Sequence, residues 1–217
     1  MTDRFNTFDR WALTYDDDMH KANDADDWMF GGYYHVLDKI VEYCELEKYE
    51  NPLMLDIGAG TGNLSARFLE KGLTVKAIDP SKKMREICKD KYPNLEVLHG
   101  DFLDIPVPPK SSDIIVSSYA FHHLTPDEKE ISISLMEKLL KPKGRIVIAD
   151  LMFKNTTEKK RVNLALINSV PGDTIDEDEY PAIFEDIGQV FQKKGFNFHG
   201  EQLTDSVWIL RACLANP

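Results

Sequence analysis

"LMLDIGAGTGNLSARF", residues 53–68, joins an apolar run to glycines at 58, 60 and 62 and then to a helical pattern. A strand that turns through glycines into a helix brings bare backbone N–H groups up to a ligand at the carboxyl edge of a sheet. The type of ligand depends on what surrounds the glycines. A phosphate-binding Walker loop needs a terminal Gly-Lys-Ser/Thr, which "GAGTGNLS" lacks. A dinucleotide loop would have a third glycine where Asn63 stands, and Asp56 would repel a diphosphate. A nucleoside ligand that carries a positive ammonium and sulfonium and no phosphate makes the same carboxylate favourable. S-adenosylmethionine is such a ligand.

Outward from this loop, the chain alternates short β-rich apolar runs with helical ones, the pattern of a doubly wound α/β sheet. Strands are expected at "LMLDI" (53–57), "LTVKAID" (73–79), "NLEVLHGD" (94–101), "DIIVSSYAF" (113–121) and "GRIVIADL" (144–151). Helices are expected at 63–72, at 81–92 with Ser81 as cap, and at 125–144 with Thr125 as cap and Pro126 in its first turn. Residues 196–215 read as two strands around a tight turn at Thr204 to Ser206, too close for a parallel crossover, so the sheet should finish on an antiparallel hairpin. Residues 1–50 precede this pattern and read as an N-terminal lid ending in a helix from about Tyr33. Residues 51–217 form the core, with a helical insertion at about 153–190.

The successive strand ends supply further polar groups. Asp79 is placed to take both ribose hydroxyls, Asp101 to reach an adenine amino group, and Phe102 to lie beside the adenine ring. His122 and His123 follow the fourth strand, where one imidazole can serve as a general base or be satisfied by a loop carbonyl. Trp11 and Tyr15, four apart, are expected on one helix face, and the runs at 16–18 and 176–179 as solvated acidic faces.

In combination, "LDIGAGTGN", "AIDPS", "GDF" and "IIVSSYAFHHL" resemble class I S-adenosylmethionine-dependent methyltransferases over roughly residues 51–150. "FDRWALTYDD" and "PSKKMREICK" are similar to the YrrT-like branch of bacterial small-molecule methyltransferases. The resemblance implies a Rossmann-like sheet of seven strands, a site roofed by the N-terminal segment, and S-adenosylmethionine as cofactor. It implies cofactor contacts from Asp56, Gly58, Ala59, Gly60, Gly62, Asp79, Pro80, Met84, Asp101, Phe102, Ser117, Trp11 and Tyr15. Catalytic roles fall to His122, Tyr119 and Tyr15, with no metal. It does not supply the acceptor.

Composition narrows the partners. With 37 acidic against 26 basic residues the net charge is −11, which repels nucleic acid and anionic lipid, so a small-molecule acceptor is expected. Cys44, Cys88 and Cys213 have no paired spacing, which fits a reducing cytoplasm better than a disulfide framework. No leader pattern and no apolar run of about 18 residues is visible, so export and membrane anchoring are not expected. A monomer or homodimer is anticipated. A non-catalytic S-adenosylmethionine-binding sensor or partner protein is the rival from another class, and an NAD-dependent oxidoreductase a third possibility.

Overall fold

A computed structural model describes residues 6–25, 27–169 and 179–214. The seven strands of the main sheet run in the order β3 (Glu96–His99), β2 (Thr74–Asp79), β1 (Leu53–Ile57), β4 (Ser112–Ser118), β5 (Leu140–Phe153), β8 (Val207–Leu214), β7 (Phe196–Gln202). The first five are parallel. β8 is antiparallel to both β5 and β7. The eighth strand, β6 (Ala182–Ile183), is two residues long and pairs with the far end of β5. It lies in the expected insertion, and its shortness leaves no alternating pattern to read.

The strands are apolar throughout because both faces are covered. Alternation still sorts them: Met54, Ile114, Val116 and Val147 enter one apolar layer, while Leu55, Ile57, Ile115, Ile146 and Ile148 enter the other. Helix α3 (Tyr33–Tyr43) closes the first layer with Val36, Leu37 and Ile40, all fully buried. Helix α6 (Pro126–Leu139) closes the second with Ile133 and Met136. It opens on a capping box between Thr125 and Glu128. It ends five residues before the expected boundary because Lys141 precedes Pro142, which disfavours helical backbone there; the chain passes into β5 instead.

Two further helices flank the site. α4 (Asn63–Leu69) leaves the glycine loop, and α5 (Lys82–Lys91) follows β2 with Ser81 accepting the Met84 N–H. Ahead of α3 stand α1 (Asn6–Trp11) and α2 (Tyr15–Asn23). Trp11 and Tyr15 thus belong to two helices rather than one face of one, and their rings meet edge to face across the break at 4.8 Å. In the insertion, α7 (Thr156–Ser169) and α8 (Phe184–Lys193) are helical, while the "VPGD" turn and residues 176–178 of the acidic run lie outside the described residues. Strand order reverses between β1 and β4. In open α/β sheets ligands bind outside the carboxyl ends of the strands at such a point.

Candidate active site

At that reversal, β1 turns through Gly58, Gly60 and Gly62 with φ of +74°, +55° and +89°. The Gly58 and Ala59 N–H groups both donate to the Ile78 carbonyl (2.8 and 3.1 Å), tying the loop to β2. A Cβ on Gly58 would stand 2.4 Å from the Ala120 Cβ, and one on Gly62 2.6 Å from the Cys88 Sγ. On Gly60 it would meet nothing nearer than the Met84 Sδ at 4.0 Å. Packing and conformation therefore both require glycine at 58 and 62; at 60, conformation alone does.

Beneath the loop lie two buried carboxylates. The Ser65 hydroxyl donates to Asp56 Oδ2 at 2.6 Å, while Asp56 Oδ1, also buried, has no hydrogen-bond partner among the described residues. Burial, with the neighbouring Asp79 adding to it, outweighs the Ser65 bond and pushes the Asp56 carboxyl up to about 7. Asp79 accepts from the Gly60 N–H through Oδ2 and from the Ser81 N–H through Oδ1, both at 2.8 Å. Burial outweighs those two bonds and lifts it to about 6. Asp101 Oδ1 accepts the Leu103 and Asp104 N–H groups at 2.7 and 3.0 Å, which shapes the turn after β3. Phe102 is buried edge-on against Phe121 at 5.5 Å. Ser117 uses its hydroxyl on the Ile57 carbonyl (2.7 Å), and the Pro80 carbonyl accepts from Arg85 (2.7 Å). Met84 is buried with its sulfur toward Gly60.

The N-terminal helices are fastened over this loop by two carboxylates. Asp9 accepts from the Ser81 hydroxyl (2.5 Å) and the Lys83 N–H (3.1 Å), so a residue of α1 helps cap α5. Asp16 accepts from Thr61 Oγ1 (2.6 Å), Asn63 Nδ2 (3.0 Å) and Lys91 Nζ (2.6 Å), joining α2 to the glycine loop. Burial raises its pKa, but the bonds from Lys91 and Thr61 prevail and hold it below the usual range. Asp18 takes the Trp11 indole N–H at 2.9 Å and the Thr14 hydroxyl at 2.8 Å. The acidic run at 16–18, expected as a solvated face, is thus mostly a set of latches. Spacing alone gives no sign of this for Asp16, because its partners lie 45 to 75 residues away.

β4 ends in Tyr119, whose φ of +51° is unusual for an aromatic residue. Its ring stands 5.5 Å from Tyr33 and 5.1 Å from Phe30, and its buried hydroxyl has no hydrogen-bond partner among the described residues. Tyr15 lies beside Tyr33, with burial first and that neighbour second keeping its hydroxyl protonated far above the ordinary range. His122 is buried with Nδ1 2.5 Å from Asp150 Oδ1 and Nε2 3.9 Å from Glu179. The other oxygen of Asp150 accepts the N–H groups of Ala120, Phe121 and His122 at 3.0, 2.5 and 3.1 Å. Burial raises the pKa of this carboxylate, but His122 and the Leu151 N–H bring it below its ordinary value. The arrangement braces the loop, and it turns His122 inward rather than toward an open face. Asp150 is the residue that sequence reasoning passed over, although an acid inside "RIVIADLM" is a legible signal of a satisfied buried charge.

A methyltransferase-domain model matches residues 55–148, the span from the glycine loop through β5. A relative from Alkaliphilus oremlandii, described as an uncharacterized methyltransferase, is 38% identical over 98% of both chains. The chain belongs to the methyltransferase family. The uncharacterized methyltransferase YrrT of Bacillus subtilis is 36% identical, covering 94% of this chain and 95% of its own. Among solved structures, magnesium protoporphyrin IX methyltransferase from Synechocystis PCC 6803, with bound S-adenosylhomocysteine, aligns with a TM-score of 0.71. The alignment covers 97% of this chain and 99% of that one at 17% identity, which is a likeness of fold.

Proposed function

We propose that the protein transfers the methyl group of S-adenosylmethionine to a small-molecule acceptor held between the glycine loop and the N-terminal helices. The observation that carries this reading is the unpartnered, buried Asp56 Oδ1 beneath three positive-φ glycines at the strand-order reversal. A phosphate would be repelled there, whereas an ammonium would supply the missing partner. The cofactor supplies a methyl group on a positive sulfur with a good leaving group. Asp56 would face its ammonium side, Asp79 its ribose hydroxyls, and Asp101 its adenine amino group. That magnesium protoporphyrin IX methyltransferase holds S-adenosylhomocysteine in a similar fold supports the choice of cofactor.

Transfer from a sulfonium asks mainly for donor and acceptor to be held about 3 Å apart with water excluded. The two aspartate latches over the loop suit that task, and Asp150 fixes the segment from Tyr119 to His122 opposite them. Calorimetry with S-adenosylhomocysteine tests the cofactor assignment. Wild type is expected to bind in the micromolar range and Asp79→Ala to lose about 1–3 kcal/mol, the scale of hydrogen bonds lost in a buried site. Equal affinity for the two proteins would remove Asp79 from the ribose role.

The raised carboxyl at Asp56 adds a pH signature. Its folded pKa lies above its ordinary value, so its contribution to stability is full at low pH and is lost as pH rises through about 7. Binding an ammonium needs the ionised form, so the linkage acts in the opposite sense on affinity. Binding of S-adenosylhomocysteine should weaken by up to roughly tenfold per pH unit below about 7, with proton release on binding in that range. Asp56→Asn should flatten the profile; an unchanged slope in this variant would show that the titrating group is elsewhere.

A further inference from the structure

Between the N-terminal helices and the end of β4, five aromatic side chains meet. Trp11 lies 4.8 Å from Tyr15 and 6.1 Å from Phe30, Phe30 lies 5.1 Å from Tyr119, and Tyr33 lies 5.5 Å from Tyr119. Apolar packing accounts for the ring contacts but not for Tyr119 itself. Phenylalanine would pack as well without burying a hydroxyl that has no hydrogen-bond partner among the described residues, which is a cost to the fold. The residue also holds a left-handed backbone conformation, a strain that persists where the surroundings enforce it. Tyr119 is only 7% exposed, and burial first, with Tyr33, Asp150 and Asp27 adding to it, keeps its hydroxyl protonated well above the ordinary range.

Asp27 also lines the groove that reaches this cluster from outside. The groove has a volume of about 360 Å³ and is walled by Trp11 and Phe30, with Asp18, Asp27 and Lys21 among its charged groups. Asp18 is held by Trp11 and Thr14, and one oxygen of Asp27 accepts the Met29 and Phe30 N–H groups at 3.0 and 2.7 Å. Both carboxylates are thus fixed at the mouth. Aromatic faces attract cations, and the chain as a whole, at −11, does not favour an anion.

We propose that this aromatic cluster is the acceptor subsite, that it takes an aliphatic amine, and that Tyr119 is its specificity-determining residue. The proposal rests on the methyltransferase reading and names its substrate class. The amine enters as an ammonium past Asp18 and Asp27 and releases one proton to solvent before reacting. Its nitrogen lone pair then forms the new N–C bond to the methyl group of S-adenosylmethionine. The C–S bond breaks with its electron pair left on sulfur, and the methylated amine carries away the positive charge. A carboxylate would be repelled by the two carboxylates, and a neutral alcohol would gain no cation attraction from the rings.

The test uses choline, whose quaternary nitrogen has no lone pair to methylate, and its uncharged carbon isostere 3,3-dimethyl-1-butanol. Binding to the full chain is measured by titration calorimetry and by Trp11 fluorescence, with S-adenosylhomocysteine present. Choline is expected to bind at least tenfold more tightly than the isostere. Tyr119→Leu and Phe30→Leu are each expected to lose that preference while S-adenosylhomocysteine affinity stays within about threefold. Isotopically labelled methyl groups, supplied with a panel of small amines, alcohols and thiols, should appear on amines. Equal binding of choline and its isostere to the wild-type protein overturns the proposal without any variant having to fold. So does label appearing on alcohols or thiols alone. Failure of S-adenosylhomocysteine to bind at all overturns the underlying methyltransferase reading, and the proposal with it. S-adenosylhomocysteine bound without a cation preference overturns the proposal alone.

Discussion

Replacing Asp150 with alanine is expected to destabilise the protein by about 3–5 kcal/mol, the scale for removing one partner of a buried charged network. One carboxylate here accepts the N–H groups of Ala120, Phe121 and His122 on one oxygen, and on the other meets His122 Nδ1 and the Leu151 N–H at 2.7 Å. The Phe121, His122 and Leu151 groups are buried, so water cannot easily take over the vacated bonds. The loss should also reach the ligand. Ala120 abuts Gly58, and Tyr119 joins the aromatic cluster, so a loosened loop disturbs both sides of the site at once. Thermal unfolding should show a fall of roughly 6–20 °C for a chain of this size. His122→Ala, which leaves the backbone bonds to Asp150 in place, should cost less. A smaller loss for Asp150→Ala than for His122→Ala would mean that the imidazole, and not the carboxylate, organises the loop.

The contrast between those two residues shows what the sequence makes legible. Local rules placed β1, β2, β4, the Ser81 cap and the Thr125 capping box, because each depends on neighbours a few positions apart. The C-terminal hairpin followed from the shortness of its turn, where Thr204 Oγ1 accepts the Val207 N–H at 3.0 Å. The long-range partners were not legible in this way. Nothing within "DRW" tells that Asp9 will cap a helix 72 residues on, and nothing within "YDDD" separates Asp16, bonded to Thr61, from its exposed neighbour Asp17. His122 was visible as a chemical type, but its orientation toward Asp150 is a consequence of β4 and β5 lying side by side. The cluster around Tyr119 depends on Phe30 and Tyr33, which lie almost 90 residues away in the chain. A carboxylate at a strand end can be read from a motif; the fastening of the N-terminal helices is set by tertiary contacts.

Gly58→Ala and Gly60→Ala, compared side by side, are expected to separate the two demands made on the glycine loop. Both positions have positive φ, so each substitution carries a conformational cost of roughly 1–2 kcal/mol. At 60 that is nearly the whole effect, because the new methyl group would meet nothing closer than the Met84 sulfur at 4.0 Å, an ordinary contact with a flexible side chain. At 58 the methyl group would stand 2.4 Å from the Ala120 Cβ, a distance no pair of carbon atoms sustains. Either the loop or the Tyr119–Ala120 segment must move, and overpacking of this kind adds about 1–3 kcal/mol. Ala120 cannot yield easily, since its N–H is held by Asp150 and the following residue is held by the same oxygen. The shift should therefore fall on the loop and withdraw the Gly60 N–H from Asp79. Gly58→Ala should consequently lose S-adenosylhomocysteine binding by a hundredfold or more, whereas Gly60→Ala should lose a few-fold to tenfold, with chemical denaturation giving the matching order of stability. If the double variant Gly58→Ala, Ala120→Gly recovers most of the binding, the steric account holds; if it recovers none, the cost at 58 is conformational and the close approach to Ala120 is not what fixes that glycine.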